Sequence, residues 1–133
     1  MNGCVFCKII AGEIPTNKVY EDDSFFVLLD IHPINPGHLL IVPKKHIPYV
    51  FDMQDPLFTE LFKLARTLAP KIKEVMKVVR VGLAIEGFGV DHTHVHLVPI
   101  NTINELNPER AKAASPEELK EVAEKIRATL SKE

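Results

Sequence analysis

Between residues 92 and 99 the chain reads His-Thr-His-Val-His-Leu-Val-Pro, and this alternation constrains the fold more than any other stretch. Side chains of an extended strand point to opposite faces in turn. His92, His94 and His96 therefore share one face, and Thr93, Val95 and Leu97 the other. The second face belongs against a core. The first is costly to bury unless each imidazole finds a hydrogen-bond partner, a metal or a ligand. Three of the chain's six histidines sit within these five residues, which surface decoration does not readily produce. Two chemistries are open at this point. Alternate histidines on a sheet face can ligate a metal. Equally, a neutral imidazole can attack phosphorus while its neighbours orient it and handle protons.

The rest of the sequence supplies a setting for such a strand. Lys18 to Glu21 and Phe25 to Asp30 read as a hairpin around Asp22-Asp23-Ser24, and His38 to Pro43 as a third strand entered through the Asn35-Pro36-Gly37 turn. Val81 to Glu86 and His94 to Pro99 read as two more, separated by Glu86-Gly87-Phe88-Gly89. A long amphipathic helix is expected with Asp55 as its cap, Pro56 at its first position, and Leu57, Leu61, Leu64, Leu68, Ile72 and Val75 at helical spacing. Pro70 falls inside it and is expected to kink it or end its first half. Ser115-Pro116-Glu117-Glu118 opens a terminal helix running to about Leu130. The expectation is an α+β fold: an antiparallel sheet of about five strands with a long helix packed on it and a C-terminal helix. One domain over residues 1–133 is expected, with a core at 1–110 and the C-terminal helix at 115–131; 133 residues can bury a core without disulfides.

The formal net charge of -2 argues against a surface built to neutralise many nucleic-acid phosphates, although a small phosphorylated ligand fits it. The longest apolar runs, Phe25 to Leu29 and Leu39 to Val42, are too short to span a bilayer, and Met1 to Lys8 lacks a signal-type pattern. No membrane association is expected, and a cytoplasmic location is. The two cysteines, Cys4 and Cys7, are spaced as metal or redox pairs are, and zinc of a structural kind would need two further ligands.

Several motifs, in order, resemble the histidine triad (HIT) family and its branch of adenosine 5'-monophosphoramidase-like purine nucleotide-binding proteins. They are Cys4-Val5-Phe6-Cys7-Lys8-Ile9-Ile10, Glu13-Ile14-Pro15, Val19-Tyr20-Glu21-Asp22, Leu29-Asp30-Ile31, Pro36-Gly37-His38, Ile41-Val42-Pro43-Lys44-Lys45-His46 and His92 to Pro99. The resemblance implies a HIT-like fold and cleavage of a P–N or P–O bond at the α-phosphate of a purine nucleoside phosphoramidate or adenylate. It makes His94 the residue that carries a covalent nucleotidyl intermediate. His96 would bond phosphate oxygens, and His38 would complete the polar surround. Asp30 would take the ribose hydroxyls, as a carboxylate can from a vicinal diol. Phe6, Ile9, Ile14, Leu28 and Ile31 match positions that enclose the base, as does Val5. His46 and His92 would close a structural zinc site with Cys4 and Cys7. A homodimer is implied on the same ground.

The match fails between the last two strands. Many family members carry a longer glycine-rich stretch there, with Gln and Ser or Thr shortly before the triad. In this chain Phe88 and Gly89 stand at those places. Backbone amides of Gly87, Phe88 and Gly89 then take over contacts to the phosphate, or the leaving-group preference differs. Two competing readings are a nucleotide-binding protein acting through a partner and a metallohydrolase whose triad holds the metal.

Overall fold

The computed structural model describes residues 3–131, so residues 1, 2, 132 and 133, the ends of the expected domain, lie outside it. In chain order the elements are α1 (Val5–Ile10), β1 (Lys18–Glu21), β2 (Phe25–Leu29), β3 (Leu39–Pro43), α2 (Leu57–Met76), β4 (Arg80–Ala84), β5 (Val95–Ile100) and α3 (Pro116–Leu130). Short 3-10 turns occupy Val50–Asp52 and Pro108–Arg110. The five strands form one antiparallel sheet in the order β1-β2-β3-β5-β4, and the fold is α+β.

Strands β2 and β3 are apolar at every position because both of their faces are covered. On one side Phe25, Val27, Leu29, Leu39, Ile41, Val95 and Leu97 meet Leu61, Ala65, Leu68 and Ile72 of α2 and Leu119, Ala123 and Ile126 of α3. On the other, Phe26, Leu28, Leu40 and Val42 meet Phe6 of α1, with Val5, Ile9 and Ile10 around it. The pairing sets one transverse row on this second face, Lys18, Leu28, Leu40, His96 and Ala84, running from β1 to β4. Thus the sheet turns from apolar to histidine-bearing as it passes from β3 to β5.

Gly37 keys the turn before β3 to the rest of the molecule. Its φ is +93°, and a Cβ there would sit 2.8 Å from Met76 Cγ and 3.0 Å from Pro99 Cγ, so only glycine fits. The capped start of α3 is as read, with Ser115 Oγ accepting from the Glu118 amide at 3.1 Å.

Several boundaries differ from the sequence reading. α1 was not anticipated; six residues are too few to show helical periodicity, and its stability comes from burying Phe6. α2 begins at Leu57, with Pro56 in the cap position, and Asp55 Oδ1 accepts from the Thr59 amide and hydroxyl at 3.1 and 2.6 Å. α2 also runs through Pro70. The carbonyl that loses its donor there belongs to Arg66, which like Pro70 is exposed, so water can serve it, while Leu68 and Ile72 hold the flanking turns in the core. β2 stops at Leu29, β3 starts at Leu39 and β4 spans Arg80–Ala84 rather than 81–86. β5 begins only at Val95, because the Thr93 amide leaves the ladder and donates to the Ile47 carbonyl at 2.8 Å. His92 and His94 therefore precede the strand.

Opposite effects are expected from two neighbouring changes in α2. Ile72→Ala opens a cavity in the core and destabilises by about 2 to 5 kcal/mol. Pro70→Ala restores a helix hydrogen bond on the wet face and stabilises by about 1 to 2 kcal/mol, proline's stiffening of the unfolded chain offsetting the rest. Urea unfolding of the two variants checks both signs.

Candidate active site

The histidine-bearing face holds two clusters joined through His92. In the first, Cys4 caps α1, accepting from the Cys7 amide, and Cys7 lies in the first turn. His92 Nε2 donates to the Pro43 carbonyl at 2.8 Å, so its Nδ1 lone pair faces the thiols: Cys4 Sγ at 3.3 Å, Cys7 Sγ at 3.6 Å and His46 Nδ1 at 3.2 Å. His46 Nδ1 is also 3.3 Å from Cys7 Sγ. A tetrahedral zinc centre with ordinary bond lengths separates its nitrogen and sulfur ligands by about 3.3 to 3.6 Å, which these distances match. A carbonyl holding the other ring nitrogen of a ligand histidine is the usual supporting bond. Cys4, Cys7, His46 and His92 thus fit a four-ligand structural zinc, with no position left for substrate.

The second cluster is ordered by tautomers that the backbone assigns. His94 is buried, and its Nδ1 donates to the His92 carbonyl at 2.8 Å, so its Nε2 keeps a lone pair. The Ile34 amide donates to His38 Nδ1 at 3.0 Å, which places the proton of His38 on Nε2. His38 Nε2 then donates to His96 Nδ1 at 2.9 Å, which leaves His96 with a free Nε2–H. The His94 and His96 rings lie 5.1 Å apart between centroids, so a nitrogen with a lone pair and a hydrogen-bond donor stand side by side. Phe6 packs beside both rings, 5.1 Å from that of His94 and 5.8 Å from that of His92. Asp30, His38 and His96 also come within ligand distance of one another. With its Nδ1 engaged by the backbone, however, His38 has no lone pair on Nε2 to give a metal, and the set reads as a proton-ordered chain.

Asp30 serves two ends. Its Oδ1 accepts from the His32 amide at 2.9 Å, a turn contact, while Oδ2 lies 3.6 Å from His38 Nε2 and faces a cavity. That cavity, of about 270 Å³, is lined by Asp30, His32, Ile34, His38, Ala84, Glu86, His96, Leu106, Pro108 and Ala111. Of the residues expected to enclose a base, Phe6, Leu28 and Ile9 come together in the second-face cluster, and Val5 packs beside them. Ile14 is half-buried outside that cluster and Ile31 is exposed. Gly87, Phe88 and Gly89 form an open loop: Phe88 is 81% exposed, and both glycines have positive φ with free space around them. None of the three lines the cavity; Glu86 does. The sequence reading also missed the wall formed by Leu106, Pro108 and Ala111. That segment has no period and is held instead by tertiary bonds, Lys112 to the Pro33 carbonyl and Ala114 to the Ile31 carbonyl.

Burial lowers the pKa of His38 to about 4, with His96 adding to the effect and Asp30 opposing it, and burial with the neighbouring His94 lowers that of His96 as well. Such groups bind more protons unfolded than folded, so their stabilising effect is whole above the ordinary value of 6.5 and is lost as pH falls toward 4. The melting temperature is expected to drop across this window, and His38→Gln to flatten the drop. Thermal melts of both proteins at pH 7 and 4.5 measure it.

Comparison with known proteins places this geometry in a family. Residues 11–103 match the HIT domain family model. The chain is 39% identical over 97 residues to the adenosine 5'-monophosphoramidase HNT1 of Saccharomyces cerevisiae, covering 72% of this chain and 61% of that one. It is 34% identical over 103 residues to the adenylylsulfatase HINT3 of Arabidopsis thaliana, covering 74% and 52%. A solved structure of a zinc-bound histidine triad family protein from Mycobacterium smegmatis superposes with a TM-score of 0.83 at 29% identity, covering 98% of this chain and 94% of that one. With the domain match spanning most of its length and the fold and triad agreeing, this chain belongs to the HIT family.

Proposed function

We propose that this protein is a hydrolase that cleaves a P–N or P–O bond at the α-phosphate of a purine nucleotide by two displacements through His94. The observation that carries the reading is the pairing of a fixed Nε2 lone pair on His94 with the free Nε2–H of His96 beside it. The similarity to an adenosine 5'-monophosphoramidase and an adenylylsulfatase supports the same substrate class.

For a phosphoramidate, His94 Nε2 attacks phosphorus and forms a P–N bond to the imidazole. The original P–N bond breaks, its electron pair stays on the departing nitrogen, and the amine leaves after taking one proton from water. A second water then attacks phosphorus, the bond to His94 breaks with its pair returning to Nε2, and a proton is released to balance the first. The products are a nucleoside monophosphate and an amine. His96 Nε2–H bonds a phosphate oxygen as negative charge gathers there. His38 is a positioning residue that fixes the tautomer of His96, and Asp30 Oδ2 accepts from the ribose hydroxyls. Phe6, Ile9 and Leu28 form the apolar wall for the base, which Ile14 and Ile31 would join only from outside that cluster, and the amides of Gly87, Phe88 and Gly89 would reach the phosphate only with their open loop folded over it.

Zinc in the Cys4, Cys7, His46 and His92 set is the structural partner of this site; when bound it supplies a rigid anchor for α1 and takes no part in the displacement. A homodimer is the proposed assembly, supported by exposed Val79 and Leu83 at the unpaired edge formed by β4. The proposed compartment is the cytoplasm, in keeping with the absence of any helix long and apolar enough to cross a membrane among the described residues.

About one zinc per chain is expected by elemental analysis. Cys4→Ser or Cys7→Ser should release it and lower the melting temperature, because metal affinity is folding free energy here. A protein that holds no zinc and takes up none would overturn the assignment.

The three triad histidines are expected to fail differently. His94→Ala keeps nucleotide affinity while turnover falls by several orders of magnitude. His96→Ala weakens both phosphate binding and rate. His92→Ala lowers zinc content and stability first. Rapid quench with a labelled phosphoramidate should trap an acid-labile adduct on His94. Tight nucleotide binding by the native protein with no turnover of any phosphoramidate or adenylate would favour the binding-protein reading instead.

A further inference from the structure

We propose that residues 86–89 form a hinged flap whose tip, Phe88, closes over the His94–His96 pair when a nucleotide is bound and keeps bulk water from the first displacement. The inference rests on the reading of His94 as nucleophile and concerns a side chain for which that reading has no use.

The two ends of the loop are anchored on opposite faces of the sheet. Ala84, the last residue of β4, pairs with His96, and Ile85 packs into the core on the helix-covered face. Val90 packs on the other face, in the cluster that contains Phe6, whose ring lies 5.1 Å from that of His94. The chain therefore leaves the sheet beside His96 and returns to it beside the neighbour of His94. Between these anchors little holds it. None of the turn and tertiary backbone bonds among the described residues involves residues 86–91. A segment so sparsely bonded opens and closes at small cost. Phe88 is two residues from Val90, a reach of at most about 7 Å, so its ring stays at the end of the sheet that carries the two imidazoles.

The hinges stand on either side of the tip. Gly87 and Gly89 have φ of +81° and +87°, and a Cβ at either would meet nothing within 4 Å. Crowding does not require glycine there; the backbone angle does. Glycine takes positive and negative φ about equally, so both torsions can swing across without the penalty that other residues incur. Single exposed apolar residues are ordinary on a protein surface. Phe88, 81% exposed, differs in standing between two freely turning residues at the edge of the reactive face.

The chemistry of the tip decides its use. A phenyl ring offers a phosphate neither donor nor charge, so what it contributes is apolar cover, and the ring itself gains by leaving water. Closed over the imidazole pair, it removes water that competes with the phosphate oxygens for His96 Nε2–H, and such contacts strengthen as water is excluded. Lifting of the flap admits the water of the second displacement.

The chain contains no tryptophan, so Phe88→Trp places a single reporter at the tip, where an exposed ring can be exchanged without disturbing the core. Quenching of the indole by acrylamide is measured with and without saturating AMP over a range of protein concentrations. AMP is expected to shield the indole. Phe88→Ala is expected to lower both AMP affinity, read by calorimetry, and kcat/KM for adenosine 5'-phosphoramidate by about tenfold, with Phe88→Leu keeping part of each. Rapid quench of Phe88→Ala should trap less adduct, since the adduct forms more slowly and lies open to water. An indole quenched equally with and without AMP overturns the flap, as does Phe88→Ala with native affinity and kcat/KM. Shielding that needs no nucleotide and rises with protein concentration means that a second copy covers the ring, and overturns it too. Shielding by AMP with no turnover of any phosphoramidate overturns the nucleophile reading and leaves the flap standing.

Discussion

The hydrogen bond from His94 Nδ1 to the His92 carbonyl decides which nitrogen of the central imidazole carries a lone pair, and much of the site is arranged around that decision. It can be made only because His92 is itself held still. The His92 ring donates to the Pro43 carbonyl on one side and points Nδ1 at two thiols and a second imidazole on the other. One residue thereby links the cysteine–histidine cluster, the end of β3 and the His94 imidazole. A second backbone bond, from the Ile34 amide to His38, performs the matching service for His96 on the neighbouring strand β5. Neither arrangement uses a carboxylate to orient the imidazole. Main-chain groups in the loops that enter β3 and β5 do so.

The two faces of the sheet divide the labour between stability and chemistry. The helix-covered face is continuous hydrocarbon from β1 to β5 and supplies the driving force for folding. The opposite face is apolar only over β2 and β3, where α1 covers it, and gives way to imidazoles at β5. Burying three histidines 8% exposed or less is tolerable because every ring has a partner: His38 and His94 through backbone amide or carbonyl, His92 through Pro43. Among the described residues no buried side-chain nitrogen or oxygen lacks one.

Much of this was legible in the residues. Runs such as Phe25 to Leu29 and Leu39 to Pro43 can be little else than covered strands, and the spacing of Leu61, Leu64, Leu68 and Ile72 fixes a helix face. The family motifs pointed to the histidines, the aspartate and the cysteines. Illegible features were those settled by distant partners. Nothing near Thr93 says that its amide will leave the strand for Ile47, nothing near Pro70 says that the helix will be held on both sides of it, and Val5 to Ile10 is too short to declare itself a helix. The cavity wall is the extreme case, since Leu106, Pro108 and Ala111 acquire meaning only when Ala114 and Lys112 are tied to the turn after β2.

That wall has a consequence for how such a protein can diversify. The segment from 101 to 115 contains only a single short 3-10 turn, contributes no imidazole, and touches the reactive layer chiefly through a leucine resting on a glycine. Its side chains can change while the tautomers set by the His92 carbonyl and the Ile34 amide stay as they are, as long as the bonds from Lys112 and Ala114 to the 31–38 loop are kept. The cavity wall and the imidazoles are thus carried on separate pieces of chain, joined only through the loop before β3, and that loop is where a change in one would be felt by the other.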